Sequence, residues 1–222
     1  MTDPSLDKHE QGEARASAAL GDDAAQPPQW QERDAWTALD DLDAAPALAP
    51  ASEWPAGVPG LDRPGLFAFW VDESGAADLS RGLDLPLDVG RIYIGEAGAT
   101  RWPSGRASDD TLGDRIARTH LGGKVRGSPI RLTLASVLLA QLDLVVQAAM
   151  LLQASSEQAL SEWMRAHLSV AVHPHDDRDS LAGLEQAVVQ RLDPPLNTED
   201  LVPATSVRQR VVALRGRISR EG

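Results

Sequence analysis

The sequence predicts a mixed α/β (α+β) fold in which helices flank a small three-stranded antiparallel sheet. Three short segments, 65–71, 91–95 and 168–172, are rich in β-branched or aromatic residues and have the length of strands. Between the second and third of these segments and after the third, apolar residues recur at helical spacing in several longer segments. No crossover helix is evident between the first two strands, so we expect that pair to be antiparallel.

Composition excludes several classes of protein. The chain has 222 residues, a formal net charge of −12 and no cysteine, which rules out disulfides, cysteine-ligated zinc and thiol catalysis. The start of the sequence lacks the basic and apolar regions of a secretory signal. No stretch approaches the about 20 apolar residues that a membrane span needs. We therefore expect a soluble intracellular (cytoplasmic) protein without a membrane partner.

The chain divides into three parts by composition. Residues 1–60 are acidic and become rich in Pro and Ala, which predicts a disordered leader. Within that leader, the spacing of Trp36, Leu39 and Leu42 allows one short helix at 28–43. Residues 61–200 form the predicted globular domain. Residues 201–222 predict a basic amphipathic C-terminal helix.

The patterns also assign the elements of the globular domain. Residues 65–71 are apolar on both faces, which is typical of a central strand. The glycine- and proline-containing segment 72–90 predicts a long loop. In 91–95, Ile92 and Ile94 should share one face while Tyr93 points from the other.

Further along the chain, the sequence predicts four helical segments. The first runs from Asp109 or Asp110 to about His120, with Arg115 beside its buried face and Arg118 pointing outward. Residues 129–153 are strongly apolar with a helical pattern, and 157–167 form another helix.

The last of these helices carries a carboxylate in its apolar stripe. It starts at Asp179 or Ser180, and Leu181, Leu184 and Val188 belong to its buried side. Glu185 lies about 40° from Leu181 on a helical wheel, inside that stripe. A carboxylate in such a place must be paired, hydrogen-bonded or metal-bound.

Charge is unevenly distributed along the sequence. Residues 1–60 contain 12 acidic and 3 basic side chains, whereas 101–131 contain seven basic and three acidic ones. The basic segment suits contact with phosphates. A solvated helix face with ion-pair partners remains the alternative from charge alone.

These elements and residues resemble, in order, the GIY-YIG nuclease superfamily. Gly65-Leu66-Phe67 stands where the family has its first glycine–hydrophobic–tyrosine motif, and Tyr93-Ile94-Gly95 matches the second motif. Arg115 matches the family's arginine in the next helix, Glu185 its metal-binding glutamate and Asn197 its late asparagine. No single match is specific for this superfamily. The occurrence of all the matches in the superfamily's order, on the corresponding strands and helices, is specific.

The resemblance implies a metal-dependent endonuclease that cleaves DNA. Glu185 would hold one Mg²⁺ (or Mn²⁺), and Arg115 would hold a phosphate oxygen through its planar fork. Tyr93 would polarise or deprotonate the attacking water, which requires a nearby cation because tyrosine normally titrates near about 10. Asn197 would orient a loop or a site water. Tyr93, Arg115 and Glu185 should then meet on one side of the sheet.

Two departures from the family pattern keep a second hypothesis open. Phe67 replaces a tyrosine, and His120 is five residues after Arg115, further than in many relatives. His120, placed near the rim of its helix, is either a general base or a helix-end histidine bonded to backbone carbonyls. The alternative function is a catalytically weak or inactive relative that binds nucleic acid or a protein partner.

Each candidate residue also has a structural interpretation. Tyr93 would be an ordinary strand tyrosine, Arg115 would cover its helix with its stem, and Asn197 would simply follow a helix. Contacts with the DNA backbone are expected from Lys124, Arg126 and Arg118. Backbone N–H groups that open the apolar helix near Arg131 would add to them.

Overall fold

The computed structural model describes residues 29–43, 48–198 and 205–220. Of the disordered leader predicted over 1–60, residues 1–28 and 44–47 lie outside the described residues. Within the described ranges, no helix combines the length and the apolar content that crossing a membrane would require.

Helices contain more residues than strands in the described structure. They are α1 (Glu32–Asp43), α2 (Glu73–Leu83), α3, α4 (Pro129–Val137), α5 (Ala154–His167), α6 (Arg178–Leu192) and α7 (Ser206–Ile218). The helix named α3 combines one α-helical turn, Leu112–Asp114, with a π-helical segment, Arg115–Leu121. A short 3₁₀ turn, Val125–Gly127, follows α3.

The described strands form one four-stranded sheet and a separate hairpin. Their bounds are β1 (Ala49–Pro50), β2 (Gly65–Val71), β3 (Gly90–Ala97), β4 (Val146–Ala148), β5 (Leu151–Leu152) and β6 (Leu168–Pro174). The sheet has the order β1-β6-β2-β3 with antiparallel neighbours, and β4 pairs with β5. The prediction of three strands was therefore wrong, because a short fourth strand forms within the segment that looked like a linker.

The sheet separates two apolar cores. On one face, which we call the α6 face, Leu66 and Ala68 of β2 and Ile94 of β3 pack against α1 and α6. On the other, the α4 face, Phe67 and Phe69 pack against α2, α3, α4, α5 and α7. β2 is thus central and apolar on both sides, as its sequence indicates.

The segment 72–90 contains a helix rather than a long loop, so that prediction was wrong. Asp72 caps the start of α2 by accepting a hydrogen bond from the Gly75 N–H at 2.7 Å. The glycines that looked like loop residues are required by close packing. A Cβ on Gly82 would lie 2.0 Å from the Val137 carbonyl oxygen of α4. β2 and β3 are antiparallel as expected, although a helix does lie between them.

A β-bulge changes the face of the sheet on which side chains of β3 lie. The register of the β2–β3 pair shifts between Phe69 and Trp70, so one extra residue of β3 is accommodated there. As a result Ile92 packs on the α4 face and Ile94 on the α6 face. The expectation that these two side chains share a face was wrong for this reason.

The apolar segment 129–153 is not one helix. α4 ends at Val137, and the β4–β5 hairpin follows before α5 begins at Ala154. Ser128 caps α4, with its Oγ accepting a hydrogen bond from the Arg131 N–H at 3.2 Å. The Arg131 N–H therefore already has a partner within the fold, and Ser128 is buried.

Arg131 lies at the centre of a buried polar network instead of on a DNA-facing surface. Its guanidinium is fully buried and pairs with Glu157 at 2.7 Å. It also donates hydrogen bonds to the carbonyl oxygens of His120 and Leu121, at 3.0 and 3.4 Å. Arg131 thereby satisfies carbonyl groups at the end of α3 that would otherwise lack partners.

We predict that Glu157→Ala lowers the free energy of unfolding by about 3–5 kcal/mol, because it leaves the Arg131 charge buried without its carboxylate partner. Urea denaturation of the full chain measures this change. Glu162→Ala, which removes an exposed acid from the same helix, is the matched control and should change stability by about 0.5 kcal/mol or less. Equal effects of the two substitutions would contradict the prediction.

Candidate active site

A cavity of about 710 Å³ opens at the free edge of β3. Side chains from both sides of the sheet line it, including Tyr93 of β3, Glu185 of α6 and Asn197 after α6. The sequence therefore identified three residues that the fold brings to one cavity. Clefts with a few convergent polar groups are the usual place for an active site.

Tyr93 stands beside the first-motif residue Phe67. Tyr93 pairs with Phe69 across the strands, and its ring centroid lies 6.4 Å from that of Phe67. Gly95 makes room for this arrangement, because a Cβ there would lie 2.6 Å from Phe67 Cζ and 3.1 Å from Tyr93 Cε1. The glycine of the second motif is thus required by the close approach of the aromatic ring of the first.

Asn197 completes the hydrogen bonding of the β3 edge. Its side-chain Oδ1 accepts from the Ile94 N–H at 2.9 Å, and its Nδ2 donates to the Ile94 carbonyl oxygen at 2.8 Å. The adjacent Leu196 N–H donates to the Ile92 carbonyl oxygen at 2.9 Å. Asn197 and Leu196 together therefore hold the backbone on either side of Tyr93.

Arg208 of α7 holds the segment that contains Asn197. Its guanidinium is buried, forms an ion pair with Asp193 and donates through Nε to the Asn197 carbonyl oxygen at 3.1 Å. The amphipathic pattern of 201–222 predicted a helix there, and the structure adds that Arg208 of this helix is buried. The ion pair with the acid that ends α6 is the reason for its burial.

Glu185 reaches the cavity from the opposite face of the sheet. α6 packs on the α6 face, whereas Tyr93 packs with the core of the α4 face. The expectation that both meet on one side of the sheet was wrong. They approach each other around the edge of β3, where no further strand is paired in the described structure.

Two carboxylates line the cavity, and they are the groups that could hold one Mg²⁺ or Mn²⁺ ion. They belong to Glu185 and Glu96, and Glu96 Oε2 accepts a hydrogen bond from the Ala99 N–H at 3.0 Å. Among the described residues there is no group of three or more His, Asp or Glu side chains that could hold a metal. Mg²⁺ does not need such a group, because it keeps several of its own waters and binds through one or two carboxylates.

Arg115 begins the π-helical segment of α3 and lies outside the described lining of the cavity. Its side chain is 29% exposed, against 81% for Arg118, so the predicted difference in orientation is confirmed. Arg115 Nη1 lies 3.6 Å from Asp110 Oδ2, and its Nε is buried without a hydrogen-bond partner among the described residues. π-helical turns often occur at functional sites.

His120 is buried behind Phe67 instead of lying at a helix rim. The ring centroids of the two residues are 5.1 Å apart, and His120 Nδ1 lies 2.7 Å from Ser128 Oγ. The i→i+5 bonding of the π-helical segment changes the facing of residues after Arg115, which explains the error of a calculation at α-helical spacing. Burial, followed by the nearby positive charges of Arg115 and Arg131, lowers the pKa of His120 to about 3.

This location is unsuitable for a general base. A histidine with a pKa of about 3 is neutral at pH 7, but its ring is 1% exposed and contacts the protein interior. The alternative hypothesis expected His120 to bond to backbone carbonyls, but its Nδ1 contacts Ser128 Oγ. We therefore regard His120 as a packing and positioning residue behind Phe67.

The three expected DNA-binding side chains lie around α3, outside the described cavity lining. Lys124 and Arg126 are exposed next to the 3₁₀ turn, and Arg118 is exposed with an ion pair to Asp114 at 3.2 Å. Sequence reasoning did not single out two other lining residues, Trp102 and Arg215. Their signal was weak because one follows a glycine-rich stretch and the other belongs to an arginine-rich helix.

Comparison with known families identifies the family of this chain. The family model described as "GIY-YIG catalytic domain" matches residues 87–217, which is 131 of the 222 residues. The chain belongs to the GIY-YIG family. The matched range contains the second motif, Arg115, Glu185 and Asn197, and it extends into α7. Comparison with curated proteins and with solved structures finds no significant match.

We predict that His120 makes the stability of this GIY-YIG domain sensitive to mild acid. The unfolded histidine binds a proton below about pH 6.5, whereas the folded one, with a pKa of about 3, does not. Its contribution is therefore complete above pH 6.5 and is lost as the pH falls towards 3. Between pH 6.5 and 5 the wild-type free energy of unfolding should fall by about 1–2 kcal/mol more than that of His120→Gln.

Urea denaturation at a series of pH values measures this difference. The comparison is made above pH 5, where most carboxylates stay ionised in both states. Superimposable pH profiles for the wild type and His120→Gln would show that the ring titrates normally in the folded protein.

We also predict that Asn197→Ala lowers the free energy of unfolding by about 1–3 kcal/mol and speeds amide exchange at Ile94, because the backbone groups of Ile94 lose their partners. Hydrogen exchange and urea denaturation measure the two effects. Gln190→Ala, which removes an exposed amide from the same cavity, serves as the control. Unchanged protection of the Ile94 amide in Asn197→Ala would contradict the assignment.

Proposed function

We propose that this protein is a metal-dependent endonuclease that hydrolyses phosphodiester bonds in DNA. The observation that carries the proposal is the cavity shared by Tyr93 and Glu185 in a chain of the GIY-YIG family. Tyr93 is the only tyrosine in the sequence, and Glu185 belongs to a helix that packs against the sheet. Both side chains supply chemistry that phosphodiester hydrolysis needs.

Glu185 is the proposed ligand of one Mg²⁺ or Mn²⁺ ion, with Glu96 lining the same cavity. When bound, such an ion supplies Lewis-acid stabilisation of the charge on the phosphate and on the leaving oxygen. The cavity is lined by two acids, Glu96 and Glu185, and two arginines, Arg101 and Arg215. A phosphate would therefore enter a cavity in which the charges of two acidic and two basic side chains balance.

Tyr93 and Arg115 have the remaining roles. In the proposed reaction Tyr93, as a phenolate, takes a proton from a water that adds to phosphorus. The bond from phosphorus to the leaving oxygen breaks, and that oxygen leaves as an alkoxide that takes a proton from solvent. Arg115 binds a non-bridging phosphate oxygen, for which its planar guanidinium is suited. Because Arg115 lies outside the described cavity lining, this role requires the substrate to extend from the cavity towards α3.

The exposed side chains around α3 suit such an extended substrate. Arg118, Lys124 and Arg126 lie on one short stretch after Arg115. We propose that they contact the DNA backbone, which would make binding dependent on salt concentration but independent of sequence. Asn197 would keep β3 in place during the reaction through its bonds to Ile94.

Phe67 supports a second candidate function. It lacks the hydroxyl that the family places in the first motif, and the neighbouring His120 is buried. Both features are compatible with a weak or inactive relative that binds nucleic acid or a protein partner. This candidate differs from the first in one measurable way, since its DNA binding would be independent of Glu185 and would lead to no cleavage.

We predict that the full chain cleaves DNA in the presence of Mg²⁺ and that Glu185→Gln lowers the cleavage rate by at least about 10²-fold. The substitution preserves the shape of the side chain and removes the proposed metal ligand. Gel assays on plasmid, linear, nicked, flap and junction DNA measure the rate. Tyr93→Phe should cause a loss of similar order, because it removes the proposed base but keeps the ring.

Glu162→Gln is the matched control, because it removes an exposed acid outside the described cavity lining. It should leave the cleavage rate within about two-fold of the wild type. Tight, salt-dependent DNA binding without cleavage of any substrate would favour the second candidate. Cleavage that survives Glu185→Gln unchanged would refute the proposed site.

A further inference from the structure

A loop between β3 and α3, residues 98–110, is fixed to the start of α6, the helix that carries Glu185. Arg178 Nη1 of α6 donates to the carbonyl oxygens of Gly98 at 2.8 Å and of Ser108 at 2.6 Å. Thr100 Oγ1 donates to Asp179 Oδ1 at 2.6 Å. We call residues 98–110 the tryptophan loop, and these bonds tie both of its ends to the element that carries Glu185.

Trp102 is the aromatic residue of this loop, and it lines the cavity. Its indole N–H donates to the Asp179 carbonyl oxygen at 3.3 Å, which restrains the ring at the cavity wall. The side chain is half-buried, so part of it remains accessible from the cavity. Of the described lining residues, Trp102 and Tyr93 are the aromatic ones.

Arg101 lies next to Trp102 and also lines the cavity. It is exposed, and its N–H donates to the Arg106 carbonyl oxygen at 2.9 Å, which closes the loop into a tight turn. The loop therefore presents a cation and an indole side by side, at the same cavity as Tyr93 and Glu185. A cation that can contact a phosphate, next to an aromatic ring, is the usual combination for binding an unpaired nucleotide.

We propose that Trp102 stacks on an unpaired base next to the phosphate that is cut, and that the preferred substrate is DNA with an unstacked nucleotide at a flap, overhang or junction. This inference rests on the proposed nuclease function and names its substrate class. Bases inside a duplex are stacked on their neighbours, so a fixed indole can contact their faces only after they are unpaired. An unpaired base does not require the free energy of unpairing and unstacking. The tryptophan loop should therefore bind unpaired bases more tightly than paired ones.

The test measures binding of the full chain without metal, so that no cleavage is needed. The probe is a duplex with a single-stranded overhang that carries 2-aminopurine at the first unpaired position, and a blunt duplex is the comparison. Trp102→Leu should weaken overhang binding by roughly 5- to 150-fold, the range expected for one base–aromatic stack. It should change blunt-duplex binding by less than about two-fold and abolish the quenching of 2-aminopurine fluorescence.

Trp102→Phe is the matched control, because it keeps an aromatic face and loses the hydrogen bond to Asp179. It should retain most of the quenching and of the overhang preference. If Trp102→Phe loses as much as Trp102→Leu, anchoring of the loop explains the effect and stacking is overturned. Equal weakening of overhang and blunt-duplex binding by Trp102→Leu overturns it as well.

A change in the DNA avoids any effect of the substitutions on folding. Replacing the first unpaired nucleotide by an abasic site should weaken wild-type binding by the same factor as Trp102→Leu, and unchanged binding would overturn the proposal. The result is distinguishable from the outcome of the nuclease test. Stacking without cleavage would refute the proposed function alone, whereas Glu185-dependent cleavage without overhang preference would refute the role of Trp102 alone.

Discussion

The free edge of β3 is the constraint on which the rest of the site depends. A strand edge exposes N–H and C=O groups that need partners, and another strand is the usual solution. Here the side-chain amide of Asn197 and the backbone of Leu196 bond to the edge instead. These two residues cover less of the edge than another strand would. They therefore leave space beside β3, where side chains from both faces of the sheet can meet.

On the α4 face of the sheet, two buried basic side chains keep α3 in place. Arg131 pairs with Glu157 and bonds to the last carbonyls of α3, and neutral His120 fills the space between α3 and Phe67. The π-helical segment whose end these contacts hold begins at Arg115, the proposed phosphate-binding arginine. An ion pair buried in this way contributes little net stability but penalises any other arrangement.

The sequence predicted the order of the main elements and three residues of the cavity, because periodicity and motif order survive without tertiary information. It could not predict features that depend on contacts between distant segments. Gly82 looked like a loop residue, yet it is a point of close contact between α2 and α4. Likewise, the bulge that separates Ile92 from Ile94 depends on pairing with β2, and the burial of His120 depends on a π-helical turn.

Phe67 shows what the first motif contributes when its hydroxyl is missing. The ring is 1% exposed, its Cζ lies where a side chain on Gly95 would be, and His120 packs against it. All of these contacts belong to the ring, so phenylalanine preserves the packing that places Tyr93. The chemistry of a phenol is then left to one residue, since Tyr93 is the only tyrosine in the chain. In the proposed reaction the two motifs would divide their work, with Phe67 shaping the strand pair and Tyr93 serving as the proposed base.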